Sequence, residues 1–416
     1  MYCNSLLGSQ SSIFSATGPG YRISNSRRRH FSPAMSLNQT PQTPNTKNLL
    51  TTITNLLWGP SLPPGLLIST VRTAWNSAWL LMMSQLAPSD SSGGYSRPAS
   101  KFRLNSNKNL NPQFSCQNQT NLHLYVGLPC PWAHRTLIVR ALKGLEDVIP
   151  VSVAAPGQDG SWEFRNAINV DKDMNILSPG KDKANDRKTL KEVYGLRRGG
   201  YNGRATVPMV WDTEKKEVLC NESYDIIEFF NSGLNDLAQN PDLDLSPNSL
   251  KGKIEEWNQV IYSNVNNGVY RCGFAQSQGA YDKAVNDLFS TLDMVDNHLA
   301  TSRYLCGDSI TLADICLFTT LIRFDPVYHV LFKCTKKKLL EYPNLHAYMR
   351  DIYQIPKVAE TCNFPGIMDG YYKILFPLNP SSICPVFPSG CEHEALSRPH
   401  NRKSLPFVDK TMQVYV

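Results

Sequence analysis

Chemistry can be read first at Cys130. It stands in Leu128-Pro129-Cys130-Pro131-Trp132-Ala133-His134-Arg135, between an alternating apolar segment at 121–128 and a helical run through Ile138, Leu142 and Leu145. Pro131 suits the first helical position, where a missing N–H costs nothing, so Cys130 falls at the N-cap. The free amides and positive dipole end of a helix start stabilise an anion. The sequence therefore predicts a thiol pKa below the free value of about 8.5 and a nucleophilic thiolate. A buried structural thiol is the alternative for any cysteine, but here a strand, two prolines and a helix start all converge on one residue. Position 133 is Ala133, so no CxxC disulfide is available and a sulfur taken up by Cys130 must be released by an external thiol. A serine or tyrosine at 130 would suit conjugation, because a hydroxyl activates another thiol without forming a disulfide. Cysteine points instead to reduction and thiol transfer.

The elements that must position this cysteine follow in order. A second strand is predicted at 148–154, a third at 206–211 (Thr-Val-Pro-Met-Val-Trp) and a fourth at 217–220, with a helix from Ser223. Strand-helix-strand followed by two strands and a helix is the order of a thioredoxin-like unit. Thr206-Val207-Pro208 predicts a cis proline that turns Val207 outward, with its N–H and C=O available to an extended peptide. Asn221-Glu222-Ser223 precedes the next helix. There Ser223 can bond a carboxylate while Glu222 takes up an ammonium, which suits an amino-acid head group such as the γ-glutamyl end of glutathione; a plain N-cap serine beside a solvated glutamate is the other reading. The C-terminal half reads as helical, with stripes at Ile254, Trp257, Ile261 and Val265, and at Ala284, Val285, Leu288, Leu292, Val295 and Leu299. Thr311 and Asp314 form a capping box, which makes Asp314 folding machinery and not a catalytic acid.

Taken together, these residues resemble the soluble glutathione transferases: an α/β thioredoxin-like N-terminal domain plus an all-α C-terminal domain. Cys130-Pro131-Trp132-Ala133-His134-Arg135, Val265-Asn266-Asn267-Gly268-Val269-Tyr270, Gly273-Phe274-Ala275, Arg323-Phe324-Asp325-Pro326-Val327-Tyr328 and Arg350-Asp351-Ile352-Tyr353-Gln354 resemble the glutathionyl-hydroquinone reductases, or xi class, from about Gly93 to Lys373. The resemblance implies that Cys130 is the nucleophile, that Trp162 stacks on glutathione and Arg204 pairs with one of its carboxylates. It implies further that Val207 supplies backbone bonds, that Glu222 and Ser223 hold the γ-glutamyl group, and that the hydroquinone lies among Tyr270, Tyr328 and Tyr371. It also implies a homodimer. An omega-like thiol transferase or dehydroascorbate reductase would use the same cysteine without the tyrosines, and a non-catalytic binding module would use neither.

Charge and composition narrow the classes further. The 416 residues carry a net charge of +7, with 42 Lys and Arg against 35 Asp and Glu. Residues 1–89 hold six of the basic residues and no acid, leaving 36 against 35 beyond. A near-neutral body argues against a nucleic-acid-binding surface. The acid-free, Ser-rich leader with Arg27, Arg28 and Arg29 fits an organellar transit peptide, and a plant plastid-type member of the family implies the chloroplast; an ordinary disordered tail is the alternative. Val71, Trp75, Trp79, Met82 and Leu86 fall on one helical stripe, too interrupted for a membrane span. Without a flanking basic cluster that stripe is expected to pack on the body. Residues 181–204 carry eight basic and three acidic side chains, either a rim that draws in anionic glutathione or a solvated loop. No Cys/His ligand spacing and no Gly-rich phosphate loop is present, so neither a metal nor a nucleotide is expected. The expected divisions are 1–89 (leader and helix), 90–240 (thioredoxin-like), 241–375 (helical) and a tail at 376–416.

Overall fold

Leu122, Leu124 and Val126 alternate with polar neighbours, yet all six residues of strand β1 (Leu122–Gly127) are buried. The reason is position: β1 is the central strand of a five-stranded sheet in the order β3-β2-β1-β4-β5, covered on both faces. His123 is satisfied there by Ser152 Oγ at 2.8 Å, and Tyr125 donates to Asp182 at 2.7 Å. β2 (Val151–Pro156) runs parallel to β1, and β4 (Met209–Asp212) antiparallel to it. β5 (Glu217–Cys220) pairs antiparallel with β4, and the two-residue β3 (Trp162–Glu163) with β2. The computed structural model describes residues 51–52, 55, 64–104, 121–157, 160–165 and 177–405; the arginine cluster at 27–29 lies outside the described residues.

Helix α2 (Pro131–Lys143) crosses from β1 to β2, and every one of its residues is buried. It is enclosed because it packs on the helical half as well as on the sheet. Its cations are therefore bonded internally: Arg140 Nε donates to Ile149 O at 2.7 Å, and Lys143 Nζ to Leu243 O at 2.7 Å. After the short α3 (Leu190–Gly195) and the last two strands, α4 (Ser223–Glu228) continues into a π turn. The helical half comprises α5 (Lys251–Ile261), α6 (Gly268–Gly273), α7 (Gln278–Leu299), α8 (Leu312–Leu321), α9 (Pro343–Tyr353) and α10 (Phe364–Tyr372). The predicted stripes are the buried faces of α5 and α7, with Val285 only partly covered. Asp314 is wholly buried. Its carboxylate accepts from the Thr311 N–H and hydroxyl, from the Leu305 N–H and from the Tyr348 hydroxyl, at 2.7–2.9 Å.

Two segments differ from expectation. The residues up to Thr70 form a unit of their own, of which little beyond the start of helix α1 (Pro64–Leu86) is described; Val71 onward holds the rest. Within Val71–Leu86 the contact face follows the predicted stripe only in part. Trp79, Met83 and Ala87, at i, i+4 and i+8, are the most covered; the Trp79 indole donates to Pro377 O at 3.1 Å and the half-exposed Trp75 ring lies 6.4 Å from that of Phe376. Val71, Trp75 and Leu86 remain exposed. The packing face is thus rotated away from the most apolar one, which periodicity alone does not reveal. Residues 376–405 are folded back onto the helical half: Arg402 is buried and donates to the carbonyls of Leu299, Ser302 and Arg303 at 2.6–2.9 Å.

Candidate functional site

Cys130 adopts an extended conformation (φ −72°, ψ 116°) just before Pro131 opens α2. Its thiol donates to the Val207 carbonyl at 3.5 Å, beside a Val207–Pro208 bond that is cis. The protonation state corrects the expectation from sequence. Burial pushes the Cys130 thiol up; the Ala133 and Trp132 amides and the charges of Arg97 and Arg323 pull it down without cancelling that rise. The helix start acts in the predicted direction, but the strand-cysteine-helix pattern carries no measure of how deeply the sulfur is enclosed.

Beside Val207 opens a cleft of about 310 Å3, walled in part by Arg97, Trp132, Arg204, Val207, Glu222 and Ser223. Glu222, not Ser223, is the N-cap of α4, accepting from the Tyr224 N–H at 3.4 Å. Its second oxygen accepts from Ser100 at 2.8 Å. The Ser223 hydroxyl accepts from Arg135 at 3.4 Å. The cleft thus presents cations and a carboxylate within one small volume, a pattern matched by a ligand that carries both carboxylates and an ammonium. Of the basic segment 181–204 only its end, with Tyr201, Gly203 and Arg204, reaches this cleft. Lys181, Arg187 and Lys188 line a separate groove with Arg165, Glu163, Asp182 and Asp186, where three acids offset most of the four cations. Trp162 also stands off the cleft. Its ring covers Gly127 so closely that no side chain would fit there, three residues before Cys130.

One wall comes from a segment that sequence periodicity passes over. Residues 95–104 cross α4 as a strap. Phe102 O accepts from the Asn221 N–H at 3.0 Å and its N–H donates to Asn221 Oδ1 at 3.1 Å, Arg103 grips Asp225 with two bonds at 2.7 and 3.0 Å, and Leu104 N–H adds a third at 3.1 Å. The strap lays the Arg97 guanidinium 4.1 Å from the Trp132 ring centroid, and Arg135 lies 4.4 Å from the same centroid. The only signal for it in the sequence is its Arg and Lys content next to Gly93-Gly94, which has no helical or strand period.

The helical half supplies the opposite side. Tyr270 in α6, Tyr328 in the π turn 324–328 and Tyr371 in α10 join hydroxyl to hydroxyl. Tyr371 is in the middle, 2.7 Å from Tyr270 and 2.9 Å from Tyr328. Tyr372 is turned away, donating to Pro326 O at 2.9 Å. Burial raises all three phenols, so they hold their protons at neutral pH. A charge at Cys130 raises Tyr270 and Tyr371 further, which places the thiol within electrostatic reach of the cluster. Tyr328 has no exposed surface, and Tyr270 has the most of the three. Among the described residues no group of three or more His, Cys, Asp or Glu is placed to hold a metal ion, and no helix is long and apolar enough to cross a membrane.

Comparison with known proteins gives matches over both halves. Residues 129–232 match the glutathione S-transferase N-terminal domain and residues 278–351 the C-terminal domain. The glutathionyl-hydroquinone reductase YqjG of Escherichia coli is 43% identical, over 67% of this chain and 82% of its own. PcpF of Sphingobium chlorophenolicum, with the same activity in its name, is 39% identical over 78% and 96%. A Schizosaccharomyces pombe protein named glutathione S-transferase omega-like 2 is 38% identical over 72% and 95%. Among solved structures, glutathione-bound YqjG superposes with a TM-score of 0.63 at 42% identity, covering 68% of this chain and 88% of that one. The Xi transferase of Phanerochaete chrysosporium does so with 0.67 at 40%, covering 73% and 95%.

Proposed function

The chain belongs to the glutathione transferases, in the branch of the glutathionyl-hydroquinone reductases, and on that footing we propose that it removes glutathione from glutathionyl-hydroquinones by thiol chemistry at Cys130. The observation that carries this reading is the place of one cysteine between two unlike surfaces: a cleft with charges of both signs at Val207 and a cluster of protonated phenols.

The Cys130 thiolate attacks the glutathionyl sulfur, the S–S bond forms and the S–C bond to the ring breaks. An aryl carbanion is a poor leaving group. In the keto tautomer of the hydroquinone the departing electron pair becomes an enolate, which a phenol of the tyrosine cluster protonates at carbon or steadies at oxygen. A second glutathione attacks the mixed disulfide, leaves as oxidised glutathione and restores Cys130. In this scheme Arg204 pairs with a glutathione carboxylate, Val207 offers its backbone groups, and Glu222 with Ser223 holds the γ-glutamyl end. Trp162 flanks the site across Gly127 and is the member of the set with least support from geometry.

The relatives named omega-like support a second reading, thiol transfer or dehydroascorbate reduction at the same cysteine. The two separate on substrate choice: Tyr270→Phe slows turnover of a glutathionyl-hydroquinone far more than that of a small mixed disulfide if the phenols serve the quinone. The main test is Cys130→Ser with glutathionyl-menadiol, scored for free menadiol and oxidised glutathione. Release at the wild-type rate by that variant would sink the mechanism. The acid-free leader supports a chloroplast address of the plant plastid type, testable by import of the full chain into isolated plastids. Family membership supports a homodimer, testable by light scattering.

A further inference from the structure

Arg323 is almost fully buried, at 1% exposure, where α8 gives way to the π turn. Its Nε donates to Pro129 O at 3.0 Å and its Nη2 to Leu128 O at 2.9 Å. Nη1 donates to Thr319 O and to His134 Nδ1, both at 2.9 Å. Because His134 accepts at Nδ1, its proton sits on Nε2 and is donated to Thr361 Oγ1 at 2.8 Å, which in turn donates to Val358 O at 2.6 Å. Burial and the Arg323 charge keep His134 neutral. All four partners of the guanidinium are thus uncharged.

Two features follow. Leu128 and Pro129 are the two residues that deliver Cys130 from β1 to α2, so a side chain from the helical half fixes the carbonyls of the turn carrying the thiol. Burying a cation among neutral partners is costly, and a neutral donor would have served a tie between two backbones. The charge therefore has a use besides bonding. The titratable and charged groups facing Cys130 are Arg97 from the strap, Arg323 from the helical half, and the protonated Tyr270 and Tyr371, with neutral His134 behind Arg323. Arg323 is the one among them that is both buried and cationic.

We infer that Arg323 is a positioning residue for the reaction at Cys130: its planar fork sets the Leu128–Pro129 turn, and its uncompensated charge faces the anion formed at the sulfur. This rests on Cys130 being the nucleophile, and it adds a residue of the helical half to the thiol's machinery. The same charge acts to lower the Cys130 thiol and the Tyr371 phenol against the rise caused by burial.

The test compares full-length wild type with Arg323→Gln and Arg323→Lys. Carboxamidomethylation of Cys130 by iodoacetamide is followed against pH by mass spectrometry of the peptide that holds it, alongside kcat and KM for glutathionyl-menadiol. Arg323→Gln removes the charge and raises the thiol pKa, slowing alkylation at pH 7 about tenfold. Arg323→Lys keeps the charge but not the fork: alkylation follows the wild-type pH profile, while kcat falls about tenfold with KM within about twofold. An Arg323→Gln protein that melts like wild type and is alkylated with the wild-type profile overturns the inference. If that variant does not fold, Arg323→Lys decides, and wild-type kcat in the lysine protein overturns it. If the wild type itself does not turn over glutathionyl-menadiol, the hydroquinone reading fails, and the alkylation profiles still judge Arg323.

Discussion

Replacing the middle member of the tyrosine cluster, Tyr371→Phe, gives the sharpest test of how the helical half works. The hydroxyl removed bonds to Tyr270 at 2.7 Å and to Tyr328 at 2.9 Å. Two hydrogen bonds are lost at about 0.5–1.5 kcal/mol each, and the Tyr328 hydroxyl, which has no exposed surface, is left without its phenol partner at a cost of about 1–3 kcal/mol. Together these come to about 2–6 kcal/mol. Tyr270→Phe loses one bond at a partly exposed position and costs about 1 kcal/mol. Urea unfolding of the wild type and of both variants, followed by tryptophan fluorescence, should therefore rank Tyr371→Phe well below Tyr270→Phe in midpoint. Activity should rank otherwise. A phenol that protonates the leaving carbon contributes about 10²–10⁴ to kcat, so both variants lose hydroquinone release, although only one loses much stability. A double-mutant cycle on the pair should give a coupling of about 0.5–3 kcal/mol. Tyr371→Phe unfolding at the wild-type urea midpoint would show that the three hydroxyls are not an energetic unit, and the argument for a shared proton donor would fall with it.

Other expectations follow from single contacts. Asp225→Asn weakens the grip on Arg103 and loosens the strap; KM for the glutathione conjugate should rise with kcat nearly unchanged, and an unaltered KM would show that the strap does not shape the cleft. Asp314→Ala strands four buried or backbone donors and should cost about 3–5 kcal/mol in urea unfolding, yet leave kcat per folded molecule intact; a selective loss of kcat would make Asp314 catalytic after all. Burial pushes His123 down to about 4, against about 6.5 in the unfolded chain. Between those values the unfolded state binds a proton that the folded state refuses. Stability thus rises with pH across that window, by up to about 3 kcal/mol for this group. Urea midpoints at pH 7 and 4.5 should differ less in His123→Asn than in wild type, and equal slopes would contradict the assignment.

What the sequence made legible was what has a local cause. Cys130 at a helix start, the cis bond before Pro208 and the Thr311–Asp314 cap each depend on a few adjacent residues, and each was readable from them. β3 was not, because two residues carry no period; nor was the strap, whose order comes from Asn221 and Asp225, more than a hundred positions away. At the Cys130 thiol the helix-start amides act locally, as the sequence suggests, but the burial that outweighs them comes from residues distant in sequence. Tyr371, named by the resemblance, joins the cluster while Tyr372 turns to Pro326; packing, not the adjacent pair itself, decides between them. The helix at Val71–Leu86 was found by its period, but the face it uses was set by what lay nearby: Pro377 and the residues around it.

The strap also determines where a functional polypeptide can begin. The sheet starts at Leu122, and a chain cut after Leu104 would retain every strand and helix of both halves. It would lose the roof of the cleft, with Arg97 and Ser100. A chain cut before Asp90 would retain that roof and the turn at Asp90–Gly94 that anchors it, where Gly93 O accepts from Gln276 N–H at 2.9 Å and Ser277 Oγ donates to Ser92 O at 2.7 Å. Any shortened form of the chain thus faces one limit: its new end must stay upstream of that turn.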